Sequence, residues 1–581
     1  MHDPKYRENI MQKRNSYLVG KTFNKYLLAS VLTVAATYIA NIVDAMIVGN
    51  LIGADALAAV NLSKPILQTI FAISCLYVAS STILTGMAIG KGDREKANML
   101  FTFSIIVSCL LGAGISCAGM WGFDSLSALL CQSDALRPMT NDFTMVTLLS
   151  AVPMLLMYTF DQFVTVDGSP KMISRAVIVG NIVNICLDIV FIRYCGWGVK
   201  GAAWATFVMY IVCTLMVLPH FRKPNTLRLH LPKMSQIELD KIISLGLPLF
   251  FSTVLLSVQY IGNNYVTSTY IGDNGLMALA VCMQLFTFSM IILTGTLRTI
   301  QPVGSILKGM DDSQGMIMLM KRAYGFMAIS LVFFTAVLVL FPGQIGAMLG
   351  VAEGEGQQIV RHALPIFSLH IVMQGLVFNM MPVFQLYGRK QMALFLSIAQ
   401  TLLPMIIFWL MQGAWIGFFI GQLLTAVILL IWGVAIRRRD KSLSPVLLIP
   451  MKGSREVFDS SIAINYVSLS ENLHALRTFL QEKGVEGRQL NTTLVCVEEF
   501  AKNIIEHGKA NSIDVSVTMA DNGDDREINI TMHDDGMAFN PLELLNATEA
   551  KIGLGLQLAR AFCKKLDYKY IFNQNMTTIR I

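Results

Sequence analysis

Two carboxylates lie in stretches of sequence that are otherwise apolar and long enough to cross a bilayer. They are Asp44 and Asp188. An acid in hydrocarbon is costly and usually marks the path of an ion or a substrate. Asn184 precedes Asp188 by four residues, so a helix places both on one face, and Thr206 adds a hydroxyl in the next apolar stretch. Such oxygens can hold a proton or coordinate Na+, and charge alone does not decide between them. The alternative is that Asp44 lies near a helix end or pairs with a basic neighbour.

A second group of polar residues recurs every four positions towards the C-terminal end. Glu499, Asn503 and His507, in LVCVEEFAKNIIEHGK, would line one face of a helix. Glu499 could activate a water or a hydroxyl, and Asn503 could hold Mg2+. Further on, Gly553 and Gly555 open a predicted helix, where bare backbone N–H groups can bind phosphate. The structural alternatives are a solvated charged face and a plain helix cap.

The elements that must position these residues are of two kinds, membrane spans and a soluble domain. Of the 581 residues, 54% are hydrophobic and 14% are charged, which puts most of the chain in lipid. Residues 456–581 are polar and hold 18 acidic and 12 basic side chains, a balance of −6, so residues 1–455 carry +13 and the overall net charge is +7. The basic excess is therefore a topology signal, and no nucleic-acid partner is predicted. The ten cysteines show no paired spacing, which predicts small buried side chains without disulfides or zinc.

Twelve apolar stretches are long enough to span a bilayer. They lie at residues 26–52, 57–89, 99–121, 143–165, 174–194, 198–219, 242–271, 276–307, 323–343, 360–386, 391–412 and 414–436. Alternate connections are basic, which predicts a multi-pass protein of the inner (plasma) membrane with both termini in the cytoplasm. Asp161 lies near the cytoplasmic end of the fourth stretch, where snorkelling to the interface is the ordinary explanation.

The membrane region contains an internal repeat. A segment near its start is similar in sequence to another roughly 220 residues later; the two are IANIVDAMIVGNLIGADALAAVNLSKP and YIGNNYVTSTYIGDNGLMALAVCMQLF. This predicts two six-helix halves, residues 1–219 and 242–440, joined by a cytoplasmic connection at 220–241. Residues 441–455 read as a linker to the soluble domain at 456–581. Duplicated halves with a site between them suit alternating access.

Three features resemble the multidrug and toxic compound extrusion (MATE) family of secondary antiporters. They are IVDAMIVGNLIGADALAAV with its following Pro65, the similar segment in the second half, and the NxxxD motif before GxxGAAWAT. The resemblance covers roughly residues 15–440. It implies cation or proton coupling in the N-terminal half, by position through Asp44, Asn184, Asp188 and Thr206. Another branch of the family uses acids in the seventh and eighth spans, where this chain has only Asn263 and Asn264. The coupling ion, Na+ or H+, stays open.

Three blocks in residues 456–581 resemble the Bergerat-fold (GHKL) ATPases, most closely the anti-sigma-factor serine kinases. They are LVCVEEFAKNIIEHGK, DDGMAFNP and KIGLGLQLARAF. The resemblance implies an α/β sandwich that binds ATP with Mg2+, with Glu499 as general base and Asn503 as the Mg2+ ligand. It also implies that Asp534 and Gly536 contact adenine. Lys551, Gly553 and Gly555 would form the phosphate lid. Ala538 stands where the family pattern has a second glycine, and the closing Thr577 and Thr578 are expected near adenine.

Three functions follow from these patterns. The first is a secondary antiporter that exports organic or toxic compounds and is regulated by, or signals through, a cytoplasmic kinase-like domain. The second is a membrane-tethered serine/threonine protein kinase whose transporter-like part is a sensor. The third is a module that holds ATP to clamp a partner, such as an anti-sigma-antagonist (STAS-like) protein, without turnover. Asp44 and Asp188 favour transport, and Glu499 favours catalysis. The expected partners are the exported small molecule, membrane lipid and a regulatory protein.

Overall fold

The computed structural model describes residues 14–223, 226–231, 234–451, 457–521, 526–540, 561 and 563–581. The chain divides into two compact units. The larger unit, Phe23–Asp312 with Leu319–Ile449, holds most of the apolar helices. The smaller unit holds the only sheet of the described residues and comprises Met1–Thr22, Ser313–Met318 and Pro450–Ile581.

Among the described residues, eleven helices are long and apolar enough to cross a membrane, and two further helices form a bent twelfth span. In chain order the spans are Tyr17–Leu51, Ala54–Lys91, Arg94–Trp121, the pair Arg137–Leu149 and Ala151–Val166, Pro170–Tyr194, Gly198–Arg222, Leu239–Tyr270, Asp273–Gly309, Ser313–Leu340, Glu355–Leu386, Lys390–Leu410 and Ile416–Arg439. The predicted polytopic helical protein is confirmed, with twelve spans when the bent pair is taken as one.

Breaks in the helices have local causes. The two parts of the fourth span meet at 51°, after Leu149. Pro153 has no N–H for the carbonyl of Leu149, four residues earlier, and its ring crowds that carbonyl. The second and fifth spans each contain one π-helical turn, at Cys75–Ala79 and Val190–Tyr194 respectively. A π turn shifts the faces that follow it, so these spans present different sides to their neighbours along their length.

The two halves repeat the same order of elements. A short helix, Phe123–Leu130, follows the third span, and another, Pro342–Met348, follows the ninth span. The equivalent placement, six spans apart, agrees with the duplication read from the sequence.

The halves meet where the second span packs against the eighth. A Cβ added to Gly90 would lie 2.3 Å from the carbonyl oxygen of Ile306, and one added to Gly309 would lie 2.3 Å from that of Met87. Side-chain carbons do not approach so closely, so the two backbones touch because both positions are glycine. We call Gly90 and Gly309 the glycine seam. Lys91 follows directly, so the seam lies at the end of the bundle that the sequence predicts to be cytoplasmic.

The smaller unit contains a five-stranded antiparallel sheet in the order β1-β2-β3-β5-β4. The strands are β1 Val457–Ala463, β2 Ser512–Asp521, β3 Arg526–Asp534, β4 Lys565–Ile571 and β5 Gln574–Arg580. Two helices accompany them, α1 Tyr466–Glu482 and α2 Gly487–His507. This is the α/β arrangement that the resemblance implied.

One hydrophobic core joins α2 to the sheet. Leu494, Val497 and Ala501 recur at helical spacing and are buried with Val515 of β2 and Ile530 of β3. Because this face of α2 is used for packing, the remaining face carries its polar residues. The sequence pattern thereby presents a row of polar groups on a helix held firmly by the sheet.

Candidate functional sites

The four polar residues predicted in the N-terminal half come together. With the Asn184 amide oriented to suit its neighbours, its Nδ2 donates to the Asp44 carboxylate oxygens at 3.1 and 3.2 Å. Its Oδ1 accepts from the backbone N–H of Thr206 at 3.3 Å. The Asp188 side chain lies close enough to Asp44 for the two carboxyl groups to interact. Thr206 therefore contributes its backbone, while its hydroxyl donates to the carbonyl of Ala202 at 3.2 Å.

Burial shapes what this cluster can do. The side chains of Asn184 and Asp188 are buried, and Asp44 is partly exposed. Ionised carboxylates only accept hydrogen bonds, so Asp44 and Asp188 could bond to each other only when one of them carries a proton. Two like charges at this separation strongly resist ionising together. Oδ1 of Asp188 is buried and has no hydrogen-bond partner among the described residues. The pair can thus hold one proton, or offer its oxygens to a cation when that proton leaves.

A buried ion pair connects the two halves. Arg298 of the eighth span donates from Nη2 to both oxygens of Asp161, at 2.5 and 2.6 Å. Asp161 lies on the fourth span and is 4% exposed. The snorkelling expected for Asp161 is therefore wrong, because its buried carboxylate binds the partly buried guanidinium of Arg298. Sequence reasoning missed Arg298, since a pair 137 residues apart leaves no local pattern.

Glu499 and Asn503 lie one turn apart on the polar face of α2, and both are partly buried. The Nζ of Lys502 lies 2.7 Å from Oε1 of Glu498 and 3.8 Å from Oε1 of Glu499. The side chain of His507 is 75% exposed at the end of the helix. Glu499 and Asn503 thus present a carboxylate and an amide to the same side, and His507 belongs to the exposed helix end.

Asp534 ends β3 opposite Asn575 of β5. Its Oδ1 accepts from the backbone N–H of Gly536 at 2.9 Å and from Nδ2 of Asn575 at 2.8 Å. Burial raises the pKa of Asp534, and these two hydrogen bonds oppose the rise. A Cβ on Gly536 would lie 2.3 Å from the carbonyl oxygen of Gly508, to which Met537 donates at 2.8 Å. This contact ties the Asp534 loop to the end of α2, and only glycine fits there.

Asn575 is the residue of this site that sequence reasoning missed. Its Oδ1 accepts from the hydroxyl of Tyr568 at 2.7 Å and from the backbone N–H of Phe539 at 3.1 Å. Thr577 is on the same side of β5 as Asn575, two residues further along, whereas Thr578 is on the opposite side. The signal that could have found Asn575 is antiparallel pairing, which sets it directly opposite Asp534.

The described residues fit a nucleotide with Mg2+. Mg2+ is usually held by one or two protein oxygens together with phosphates and water, and the Asn503 side chain offers such an oxygen one turn from the Glu499 carboxylate. In keeping with this, no cluster of three or more metal-binding His, Cys, Asp or Glu side chains occurs in the described ranges. Both described hydrogen bonds of Asp534 fall on Oδ1, which leaves Oδ2 to accept an amino group. Ala538 lies in the loop after β3. The predicted phosphate lid lies outside the described residues, namely Lys551, Gly553 and Gly555.

Two cysteines of the smaller unit lie close together, although the spacing of the cysteines in the sequence did not predict a pair. The Sγ atoms of Cys496 on α2 and Cys563 before β4 are 3.7 Å apart, and both thiols are free. The hydrogen bond from Cys496 lowers the pKa of the Cys563 thiol. The pair joins the helix of Glu499 and Asn503 to the segment that follows the predicted lid residues Lys551, Gly553 and Gly555 in sequence.

Comparison with known proteins bears on both sites. Residues 29–190 match the MatE family model, and residues 463–581 match the model of the histidine kinase-like ATPase domain. The chain combines a MatE domain with a histidine kinase-like ATPase domain. Asp44, Asn184 and Asp188 fall inside the first match, and the α2 and Asp534 groups fall inside the second.

Relatives and solved structures agree with this division. The multidrug export protein MepA of Staphylococcus haemolyticus is 26% identical over 267 residues, which cover 45% of this chain and 58% of that protein. MepA of Staphylococcus aureus (strain MRSA252) is 22% identical over 452 residues, covering 76% and 96% respectively. The structure of an outward-facing multidrug resistance MATE family transporter of the MOP superfamily aligns with a TM-score of 0.65 at 21% identity, covering 74% of this chain and 98% of its own. A MATE in the straight conformation gives a TM-score of 0.66 at 22% identity, covering 74% and 98%. The membrane unit has the MATE transporter fold.

Proposed function

We propose that this chain is a secondary antiporter that exports organic compounds and draws its energy from an ion gradient through Asp44, Asn184 and Asp188. The cluster of Asp44, Asn184 and Asp188 carries this proposal, because Asn184 of the fifth span donates to Asp44 of the first span and the Asp44 and Asp188 carboxyl groups lie side by side. The names of the MepA relatives support multidrug compounds as the exported class. The MATE fold supports alternating access between the two halves.

The proton is the ion that the cluster favours. Asn184 donates to both oxygens of Asp44, and one proton on the pair removes the repulsion between the Asp44 and Asp188 carboxylates. When the proton leaves, two buried like charges repel and the first and fifth spans are driven to rearrange. A sodium ion would instead need several oxygens around it, and the Thr206 hydroxyl is engaged with Ala202.

Asp44→Asn tests the transport role. In proteoliposomes of the full-length chain loaded with a fluorescent organic cation, we expect the variant to lose export driven by a pH gradient. Asparagine keeps the shape and still accepts from Asn184, so folding is retained. Asp124→Asn is the matched control, because Asp124 is an exposed acid in a short connecting helix. Export at the wild-type rate by Asp44→Asn would reject the role, and export driven only by a sodium gradient would reassign the ion.

We further propose that the ATPase-like domain binds ATP with Mg2+ through Asn503, Asp534 and Gly536, with Glu499 beside the phosphates, and regulates export. Protein phosphorylation, with Glu499 activating the acceptor hydroxyl, is the second candidate, and it is favoured by the position of Glu499 one turn before Asn503. The tie between Met537 and Gly508 supports one shared site, because it holds the Asp534 loop to this helix.

Radiolabelled ATP with the full-length chain and cell lysate separates the two. Phosphate transfer to a protein that Glu499→Ala abolishes indicates a kinase, whereas nucleotide binding without transfer indicates a regulator. Glu498→Ala is the matched control, since Glu498 pairs with Lys502 at 2.7 Å and is assigned no role in the site. Absence of nucleotide binding by the wild-type chain would refute both versions.

A further inference from the structure

The residues that precede and begin the first span pack on the ATPase domain. Arg14 Nε lies 2.9 Å from Asp514 Oδ2 on β2, with only 7% and 2% of the two side chains exposed. The backbone N–H of Asn15 donates to Ser461 Oγ of β1 at 2.9 Å, and Ser461 donates in turn to Oδ1 of Asp514 at 2.6 Å. The ends of β1 and β2 thus hold the start of this segment through a buried cation and a shared hydroxyl.

A second set of contacts reaches the nucleotide site itself. Lys21 Nζ lies 2.6 Å from Asp535 Oδ2, and Asp535 directly follows Asp534. Nε2 of Gln574 donates to the carbonyl oxygen of Leu18 and to the hydroxyl of Thr22, both at 3.1 Å. We call residues 14–22 the N-terminal clasp.

The clasp holds the immediate neighbours of the two residues that build the adenine side of the site. Asp534 and Asn575 are paired across β3 and β5 and are hydrogen-bonded at 2.8 Å. Asp535 and Gln574 are the residues next to them in sequence, and each is bound by the clasp. A strand's successive side chains point to opposite faces, so one face of this strand end can serve the ligand and the other the clasp.

The Asp535 carboxylate is fixed by more than one donor. Burial opposes its ionisation, yet the hydrogen bonds from Lys21 and from Asn511 hold the pKa of Asp535 at about 2. Asn511 contributes its backbone N–H at 2.7 Å and its Nδ2 at 2.9 Å. Asp535 is therefore charged at neutral pH and ties the clasp to the turn before β2, so a shift of Lys21 is transmitted to the peptide that carries Asp534.

We propose that the N-terminal clasp, through Lys21 and Arg14, positions the nucleotide-binding loop, so that nucleotide occupancy and the clasp's attachment stabilise each other. This inference rests on the proposed nucleotide binding. Lys21 belongs to the helix Tyr17–Leu51, which carries Asp44 about six turns further on. A ligand that orders the Asp534 loop therefore also favours one position of the clasp. The clasp includes the start of the helix that carries Asp44, a proposed ion-coupling carboxylate. Binding free energies are reciprocal, so weakening the clasp must weaken the nucleotide.

The test uses the full-length chain in lipid nanodiscs and a fluorescent ATP analogue with Mg2+. We expect Lys21→Gln and Asp535→Asn each to weaken the analogue about three- to tenfold, the effect of losing one partly exposed ion pair next to the site. The reversed pair, Lys21→Asp with Asp535→Lys, is expected to recover most of this affinity. Arg477→Gln is the charge-matched control, because Arg477 is exposed on α1.

A second readout follows the clasp directly. Hydrogen exchange of the backbone amides of residues 14–22 should slow when the analogue binds, and Asp535→Asn should remove that protection. A general loss of structure would raise exchange throughout the ATPase domain, whereas the proposed role affects the clasp and the Asp534 loop alone.

The outcomes separate this inference from the proposed function. If the wild-type chain binds no analogue, the proposed nucleotide site is refuted and the positioning role falls with it. If the wild-type chain binds the analogue but Lys21→Gln binds it equally well and residues 14–22 exchange at one rate with and without it, the positioning role alone is refuted. Failure of the reversed pair to recover affinity, with both single variants weakened, would also count against the direct Lys21–Asp535 contact.

Discussion

The ion pair between Asp161 and Arg298 predicts how strongly the two halves of the transporter are held together. We consider Asp161→Asn, Arg298→Gln and the double variant. Each single change leaves one charged group without its partner, whereas the double change leaves two neutral groups that can hydrogen-bond to each other. The single variants are therefore expected to open the contact between the fourth and eighth spans, and the double variant to restore much of it.

The magnitude follows from burial. Removing one partner of a fully buried pair destabilises by about 3–5 kcal/mol. The Arg298 side chain keeps 21% of its surface exposed and that of Asp161 keeps 5%, so solvent offsets part of the loss. We take about 2 kcal/mol, and since about 1.4 kcal/mol corresponds to a factor of ten, the ratio of joined to separated halves should fall about 30-fold.

Hydrogen exchange in nanodiscs measures this ratio at the glycine seam, because separation of the halves exposes the backbone around Gly90 and Gly309. We expect faster exchange there in both single variants and near wild-type exchange in the double variant. Asp124→Asn serves again as the exposed control. Exchange within twofold of wild type in both single variants, or additive effects in the double variant, would refute the reasoning.

Three further predictions concern the ATPase domain. Gly536→Ala should weaken binding of a fluorescent ATP analogue at least about tenfold, because the new methyl meets a backbone carbonyl that cannot move cheaply; unchanged affinity contradicts that contact. Asn575→Ala removes a hydrogen bond that lowers the pKa of Asp534, so this pKa should rise. Because the ionised Asp534 accepts the amino group, the pH below which analogue binding is lost should also rise, and a fall in that pH would contradict the reasoning. Diamide should oxidise Cys496 and Cys563 to a disulfide that mass spectrometry detects and dithiothreitol reverses, and Cys563→Ser should prevent it; two free thiols after treatment would contradict their proximity.

The membrane fold was predictable because hydrocarbon imposes a single rule on sequence, a run of about 20 apolar residues for each crossing. The same rule made Asp44 and Asp188 conspicuous as exceptions. Asn184 followed from helical spacing, and Thr206 followed from being a hydroxyl in the next apolar stretch, at a position that the family resemblance also indicates. The structure brings all four together, but with the backbone of Thr206 in place of its hydroxyl, a distinction that a motif cannot carry.

What escaped sequence reasoning depends on contacts between distant elements. Arg298 looked like one more basic residue in an apolar helix, and its buried partner is defined only by packing of the two halves. Asn575 and Cys563 follow the lid region and meet their partners through strand pairing and helix packing. Nothing local in the sequence indicates that Lys21 binds Asp535, 514 residues away.

The glycine seam has a consequence for the fidelity of transport. Two backbones in direct contact leave no room for water between the second and eighth spans at the seam, so we expect the joined halves to resist ion leakage there. A methyl at Gly90 would act as a wedge between the second and eighth spans. The expected product is a leaky exporter, through which protons run down their gradient without carrying any compound out.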